Sequence, residues 1–300
     1  MKFSTISFYA LVIFEAVLFP FYYLKNGLMN FFSSSSYPIN KKKRKVIENN
    51  NLIIAIHEWG KYPTKRKKTV NRVNPFLCGL EYQLHRFERE TEDVEAQIYL
   101  TVSDSEFLDK RIKESRVVNR ILEVSNNGMD FSGYSELFEE IKHSDNCYVI
   151  LTNSSVNAHQ NSFLKSHVNY MNNNPDVGML GVSYSSRIYQ TVIKNNFTPH
   201  LQSFYLLTTL EVLKEVVNKN KKFPGKGISD KLLLIRKGEI KLSQIILNLG
   251  YSLAVVKEDG KVEKFSKPSI FDNAYNAWTL KLGDVRVCSS QPNTIYPINE

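Results

Sequence analysis

From Asn51 to Val256 the chain alternates two patterns: short runs of consecutive apolar residues, and stretches in which apolar residues return every three or four positions. The runs NLIIAIHEW (51–59), DVEAQIYLTV (93–102), RVVNRILEVS (116–125), CYVILTNSS (147–155) and VGMLGVSYS (177–185) predict strands. Between them Leu77, Leu80, Leu84 and Phe87 fall on one helical face, and SELFEEIKHS (135–144) and SFLKSHVNYMNNN (162–174) read as helices. Further on, PHLQSFYLLTTLEVL (199–213) reads as an extended segment running into an apolar helix. In KGEIKLSQIILNLGYSLAVV (237–256) Glu239 opens a helix that Gly250 closes before another strand. Apolar strands alternating with helices predict an α/β fold, a mostly parallel central sheet flanked by helices. Ligands of such sheets sit at the carboxyl ends of the strands.

The amino-terminal part follows neither pattern. FSTISFYALVIFEAVLFPFYYL (3–24) is long enough to cross a bilayer, for which about 20 apolar residues are needed, although Glu15 and Pro20 interrupt it. SSSSYPINKKKRKVIENNN (33–51) is polar and aperiodic. The expected organisation is an N-terminal hydrophobic helix over 1–24 acting as a membrane anchor or signal-anchor, a polar basic tether over 25–50, and one domain over 51–300.

Charge sharpens this plan. Residues 1–70 hold twelve Lys and Arg against Glu15, Glu48 and Glu58, which accounts for the whole net charge of +9, and the rest of the chain is balanced. A nucleic-acid binder needs a basic face on its folded domain, so no nucleic-acid partner is expected. The cluster KKKRK (41–45) instead favours the cytoplasmic face of a membrane and attraction to anionic lipid. Cys78, Cys147 and Cys288 form no paired framework and read as reduced thiols.

Four polar constellations lie where such a sheet would present them. NNGMDFSGY (126–134) follows the third strand and opens a helix; Gly128 and Gly133 permit close approach or positive φ, and Asp130 suits a sugar hydroxyl, a base N–H or a metal rather than a bare phosphate. The strand YVILTNSSV (148–156) ends in Asn153, Ser154 and Ser155, where an Asp-x-Asp would hold a divalent cation and no carboxylate stands. His200 and Gln202, two apart on an extended segment, point to one side, with a base, a phosphate donor or a core residue as the roles open to His200. Glu239 is either a reactive carboxylate or a complement to a helix dipole.

NNGMDFSGY, YVILTNSSV, GMLGVSYS, PHLQSFYLLT and GEIKLSQIILNLGY resemble, in the same order, the blocks of the rhamnan synthesis protein F-like and related glycosyltransferases. The resemblance covers roughly residues 50–256 and implies a single GT-A-like Rossmann-type domain that moves a sugar from a nucleotide-sugar donor to a glycan or lipid-linked acceptor. Within it Asn127, Gly128 and Asp130 would line the nucleotide pocket, together with His57 and Glu58 at the end of the first strand. Asn153, Ser154 and Ser155 would face the diphosphate, and His200 and Gln202 would flank donor or acceptor. Glu239 would be the general base that deprotonates the acceptor hydroxyl, with His200 beside it in the catalytic group. Arg187 and Lys194 are available to the leaving diphosphate, and a manganese or magnesium ion is the cofactor to test for. A hydrophobic amino terminus with a serine-rich stem is also the plan of a Golgi-lumenal transferase. The alternative readings are a non-catalytic glycosyltransferase-like protein that binds glycan or a partner transferase, and another nucleotide-dependent α/β enzyme such as a methyltransferase. The latter lacks a Gly-x-Gly-x-x-Gly after the first strand.

Overall fold

Leu52–Trp59 (β1) is buried on both faces, as a near-continuous apolar run requires in the middle of a parallel sheet. It belongs to a computed structural model that describes residues 42–47, 51–69, 75–185, 200–265 and 292–299, and in the amino-terminal stretch Ile6, Tyr9, Ala10, Ile13, Phe14, Val17 and Pro20. The other strands are β2 (Arg66–Lys68), β3 (Phe76–Cys78), β4 (Ala96–Ser103), β5 (Arg120–Val124), β6 (Tyr148–Asn153), β7 (Val177–Gly181), β8 (Tyr184–Ser185), β9 (His200–Leu201), β10 (Tyr205–Thr209), β11 (Ser252–Val256) and β12 (Val262–Phe265). The longer helices are α1 (Leu80–Glu90), α2 (Asp130–Ile141), α3 (Leu164–Asn173), α4 (Leu210–Asn220) and α5 (Lys241–Asn248).

Eight strands form the central sheet in the order β12-β11-β7-β10-β6-β1-β4-β5. β1 runs parallel to β4 and β6, β4 to β5, and β7 to β11. β10 is antiparallel to both its neighbours, β6 and β7, and β12 is antiparallel to β11. The result is a mixed α/β fold with a mostly parallel sheet. Alternate residues of β1 divide the core. Leu52, Ile54 and Ile56 pack on one face with Leu84 and Phe87 of α1 and Val168 and Met171 of α3; Ile53 and Ala55 pack on the other with α2, α4 and α5. Each fully buried isoleucine on this strand contributes about 1.5–3 kcal/mol.

The chain leaves β1 toward β4 and β5 and then returns to β6 on the opposite side of β1. The strand order therefore reverses between β1 and β6, and their carboxyl ends diverge around a crevice.

Several elements depart from the sequence pattern for identifiable reasons. Leu77 lies on β3 and is exposed, because the β2–β3 hairpin ends at Gly79, whose φ of 136° lets it pass against the Thr64 carbonyl. The VGMLGVSYS run splits after Gly181, and β8 pairs with β9 in a separate two-stranded sheet. Tyr205–Thr209 is a strand and not the start of a helix; every residue in it is buried between β6 and β7, and the helix begins only at Leu210, where the Thr209 hydroxyl accepts from Val212 N. α2 begins at Asp130, five residues ahead of SELFEEIKHS.

Glu239 does not open a helix. It lies in a π-helical segment, Ile235–Ile240, between the helical turn Lys231–Leu234 and α5, so no helix dipole begins there to be complemented.

Residues 42–47, expected in the solvated tether, dock on the sheet at the amino ends of β6 and β7. Arg44 is buried, donating from Nε to Val177 O at 3.0 Å and from Nη1 to Tyr148 Oη at 3.3 Å, with Nη2 on Met171 O. Ile47 joins the core, and Lys42 pairs with Glu215. Two cations of the KKKRK cluster thus serve the domain. Most of residues 1–24, with the hydrophobic helix expected there, lies outside the described residues, as do Arg187 and Lys194. Among the described residues no helix is long and apolar enough to cross a membrane.

Candidate active site

A cavity of about 480 Å³ opens at the crevice, in the size range of small-molecule sites. Of the residues the sequence singled out, His57, Asp130, Asn153, Ser154, Ser155, His200, Gln202 and Glu239 line it, as does Glu58. Asn127 and Gly128 do not: Asn127 is exposed and uses its carbonyl to accept from the Ser132 hydroxyl. Gly128 turns the chain with φ 118°, where a Cβ would lie 2.7 Å from Ser132 Oγ, and the strained turn continues through Met129 at φ 47°. These two residues shape the loop while their neighbours Asn126, Met129 and Asp130 line the cavity.

The wall between β1 and α2 is held by close packing. His57 pairs in register with Thr101 of β4 and Asn153 of β6, and its Nδ1 lies 3.1 Å from Thr101 Oγ1. A Cβ on Gly133 would approach His57 Nδ1 to 2.4 Å, so the first turn of α2 fits against β1 only because that position is glycine. Burial lowers the His57 pKa, and the negative charge of Asp130 raises it in part. Asp130 accepts a 2.6 Å hydrogen bond from the Asn153 amide, and Asn153 Oδ1 accepts from Ser155 N at 2.9 Å, which fixes the turn after β6.

Opposite, Ser203 donates to Glu239 Oε1 from both its backbone N (3.1 Å) and its hydroxyl (2.6 Å). Tyr134 of α2 donates to Ser203 O at 2.7 Å. Burial pushes the Tyr134 phenol well above its ordinary value, and the charges of Asp130 and Glu239 add to it, so the phenol is a hydrogen-bond donor throughout the physiological range. Gln202 and Ser183 are joined twice, through Gln202 N to Ser183 O at 3.0 Å and through the two side chains.

In the third wall Glu58 and Ser154 were expected from the sequence, whereas Arg66, Tyr62 and Asn293 were not. Arg66 on β2 donates to Glu58 Oε2 at 3.1 Å and to Ser154 Oγ at 2.6 Å, and its guanidinium lies 4.3 Å from the Tyr62 ring centre. Tyr62 meets Trp59 edge-to-face at 4.7 Å. Burial raises the Glu58 pKa, and Arg66 offsets part of that rise. Asn293, more than 130 residues from any other part of this wall, lines the cavity and donates to Ser155 O at 3.0 Å. Arg66 lies in the basic run KRKK (65–68), where nothing local marks one cation for burial, and its place follows from the hairpin pairing of β2 with β3; Asn293 carries no local signal.

Among the described residues no three His, Cys, Asp or Glu side chains converge as metal ligands. The cavity carboxylates are held apart by separate partners, Arg66 on Glu58, Asn153 on Asp130 and Ser203 on Glu239. That donor set does not fit one hard divalent cation, which needs several oxygens at a common centre.

No family model matches the chain, and no curated protein matches it. Among solved structures, the chain is similar to HddC from Yersinia pseudotuberculosis, with 13% identity over 54% of this chain and 77% of that one. The TM-score of that likeness is 0.29, a level that carries no argument about what the cavity does.

Proposed function

We propose that this chain is a glycosyltransferase of GT-A-like architecture, related to the rhamnan synthesis protein F-like group, that binds a nucleotide sugar in the cavity at the β1/β6 crevice. The observation that carries the reading is the pairing of two walls: hydroxyl and amide groups of Asn153, Ser154 and Ser155 on one side, and the Ser203-held carboxylate of Glu239 on the other. The mostly parallel sheet with helices on both faces is the architecture this reading requires.

In the proposed reaction Glu239 takes the proton of an acceptor hydroxyl as that oxygen attacks the anomeric carbon, and the bond from carbon to the diphosphate oxygen breaks. The leaving charge is met by the β6 turn and by the cations at the cavity edge, Lys68 and Lys231. Ser203 orients the base. His200 and Gln202 bound the space between donor and acceptor. The apolar stretch 3–24 supports a membrane tether, which suits a glycan or lipid-linked acceptor.

The test is thermal stabilisation of the full chain by a panel of nucleoside diphosphates and their sugars, paired with a transfer assay. A ligand at a hundred times its dissociation constant stabilises by about 2.7 kcal/mol. The expected result is selective stabilisation by one nucleotide, retained in Glu239→Gln while transfer falls at least 100-fold. A folded chain that responds to no nucleotide would overturn the reading in favour of a glycan-binding protein without transferase activity.

A further inference from the structure

We infer that Arg66 is the receptor for the diphosphate group of the donor and that Glu58 is its internal placeholder, an anion that occupies the guanidinium until the substrate displaces it. The identity of the ligand rests on the nucleotide-sugar reading; the anion site itself rests on geometry. Three donations, to Glu58 Oε2 (3.1 Å), Pro63 O (3.4 Å) and Ser154 Oγ (2.6 Å), account for three of the five guanidinium N–H groups. The Cys78 side chain, opposite Arg66 across the β2–β3 hairpin, bonds it as well, so one further N–H and the one now given to Glu58 are the pair a ligand would take. The side chain is only 14% exposed and stacks on Tyr62, so its fork is held in place before any ligand arrives.

A planar fork of this kind suits a diphosphate, whose oxygens it meets two at a time. The surroundings agree. Ser154 stands at the end of β6, one of the two strands that define the crevice, and Lys68 is two residues further along β2 and lines the same cavity. Glu58 is 2% exposed in its side chain and its Oε1 accepts from Trp59 N at 2.9 Å, so the carboxylate stays in the wall and only its Oε2 contact to Arg66 has to be given up. A diphosphate carries more negative charge than one carboxylate and competes for Arg66 from the open side of the cavity. Burial already favours the neutral form of Glu58, so releasing Arg66 leaves an acid that the site tolerates.

The sign of the Glu58 effect separates this arrangement from a structural ion pair. In calorimetric titrations of the full chain with inorganic pyrophosphate, Glu58→Gln should bind several-fold more tightly than the wild type, because the competing anion is gone. Arg66→Lys should bind at least 10-fold more weakly, and Ser154→Ala should fall between. Cooperative melting of each variant guards against misfolding, with Arg66→Lys as the conservative form of Arg66→Ala. Weaker or unchanged binding in Glu58→Gln overturns the placeholder role, and unchanged binding in Arg66→Lys, or none in a folded wild type, overturns the anion site. A nucleoside diphosphate that stabilises the wild type and its Arg66→Lys variant equally refutes the inference while leaving the transferase reading intact. Pyrophosphate binding without response to any nucleotide does the reverse.

Discussion

Asn153 donates from its side-chain amide to the carboxylate of Asp130 at 2.6 Å, tying the end of β6 to the first turn of α2. The same carboxylate acts on His57, whose tendency to lose its proton through burial it partly opposes. Asp130 is therefore a shared electrostatic element of two strand ends.

Replacing Asp130 with Asn keeps the size of the group and removes its charge. The His57 pKa should then fall further below its ordinary value, because burial acts unopposed. Imidazole nitrogen shifts followed through a pH titration report this directly. A His57 pKa that stays put or rises would show that Asp130 does not act on the ring.

Gly133→Ala places a methyl group 2.2 Å from Thr101 Oγ1 and 2.4 Å from His57 Nδ1, so α2 must shift from β1. Overpacking of this kind costs about 1–3 kcal/mol. Chemical denaturation should show that loss. Full stability in the variant would mean that the helix is not seated on His57.

His167 accepts from or donates to Tyr205 Oη at 3.0 Å and bonds Tyr296 O at 2.8 Å, and burial lowers its pKa to about 4. The unfolded chain takes up a proton on histidine as pH falls through about 6.5, whereas the folded chain resists until about 4. Stability present above pH 6.5 should be lost progressively across that window, by on the order of 3 kcal/mol in total. His57, lowered in the same direction, adds to it. Urea titrations between pH 7.5 and 4.5 should give a shallower fall in His167→Gln; an equal slope would remove His167 as the cause.

Arg44→Met leaves the carbonyls of Val177 and Met171 without their buried donor. An unpaired buried acceptor costs about 1–3 kcal/mol, so a loss of about 2–4 kcal/mol is expected. Exposed Lys43→Met should stay within about 0.5 kcal/mol. Equal effects from the two would mean that the cluster acts only through its net charge.

The strands beside β1 were legible because burial on both faces leaves a continuous apolar run, as in LIIAI and YVIL, that little else produces. Positions fixed by distant pairing were not. Tyr205–Thr209 carries an apolar run compatible with helix or strand, and only its insertion between β6 and β7 decides the matter. At the cavity, Asp130, Asn153 and Glu239 stood out because polar groups interrupt apolar periodicity there. Arg66 and Asn293 did not, since a charge in a basic run and an asparagine in a polar one look like solvated surface until tertiary contacts turn them inward.

β10 runs against its neighbours, and Tyr205 at its start lies opposite Thr152 near the end of β6. The chain thus reaches the cavity as it leaves β1 and β6 but before it enters β10. Tolerance to substitution should carry that asymmetry: sensitive positions lie at the carboxyl ends of the first two strands, at 57–59 and 153–155, and ahead of the third, at 200–204. Homologous chains compared position by position would then vary most freely on opposite sides of adjacent strands, a signature of one reversed strand that could be read without any structure.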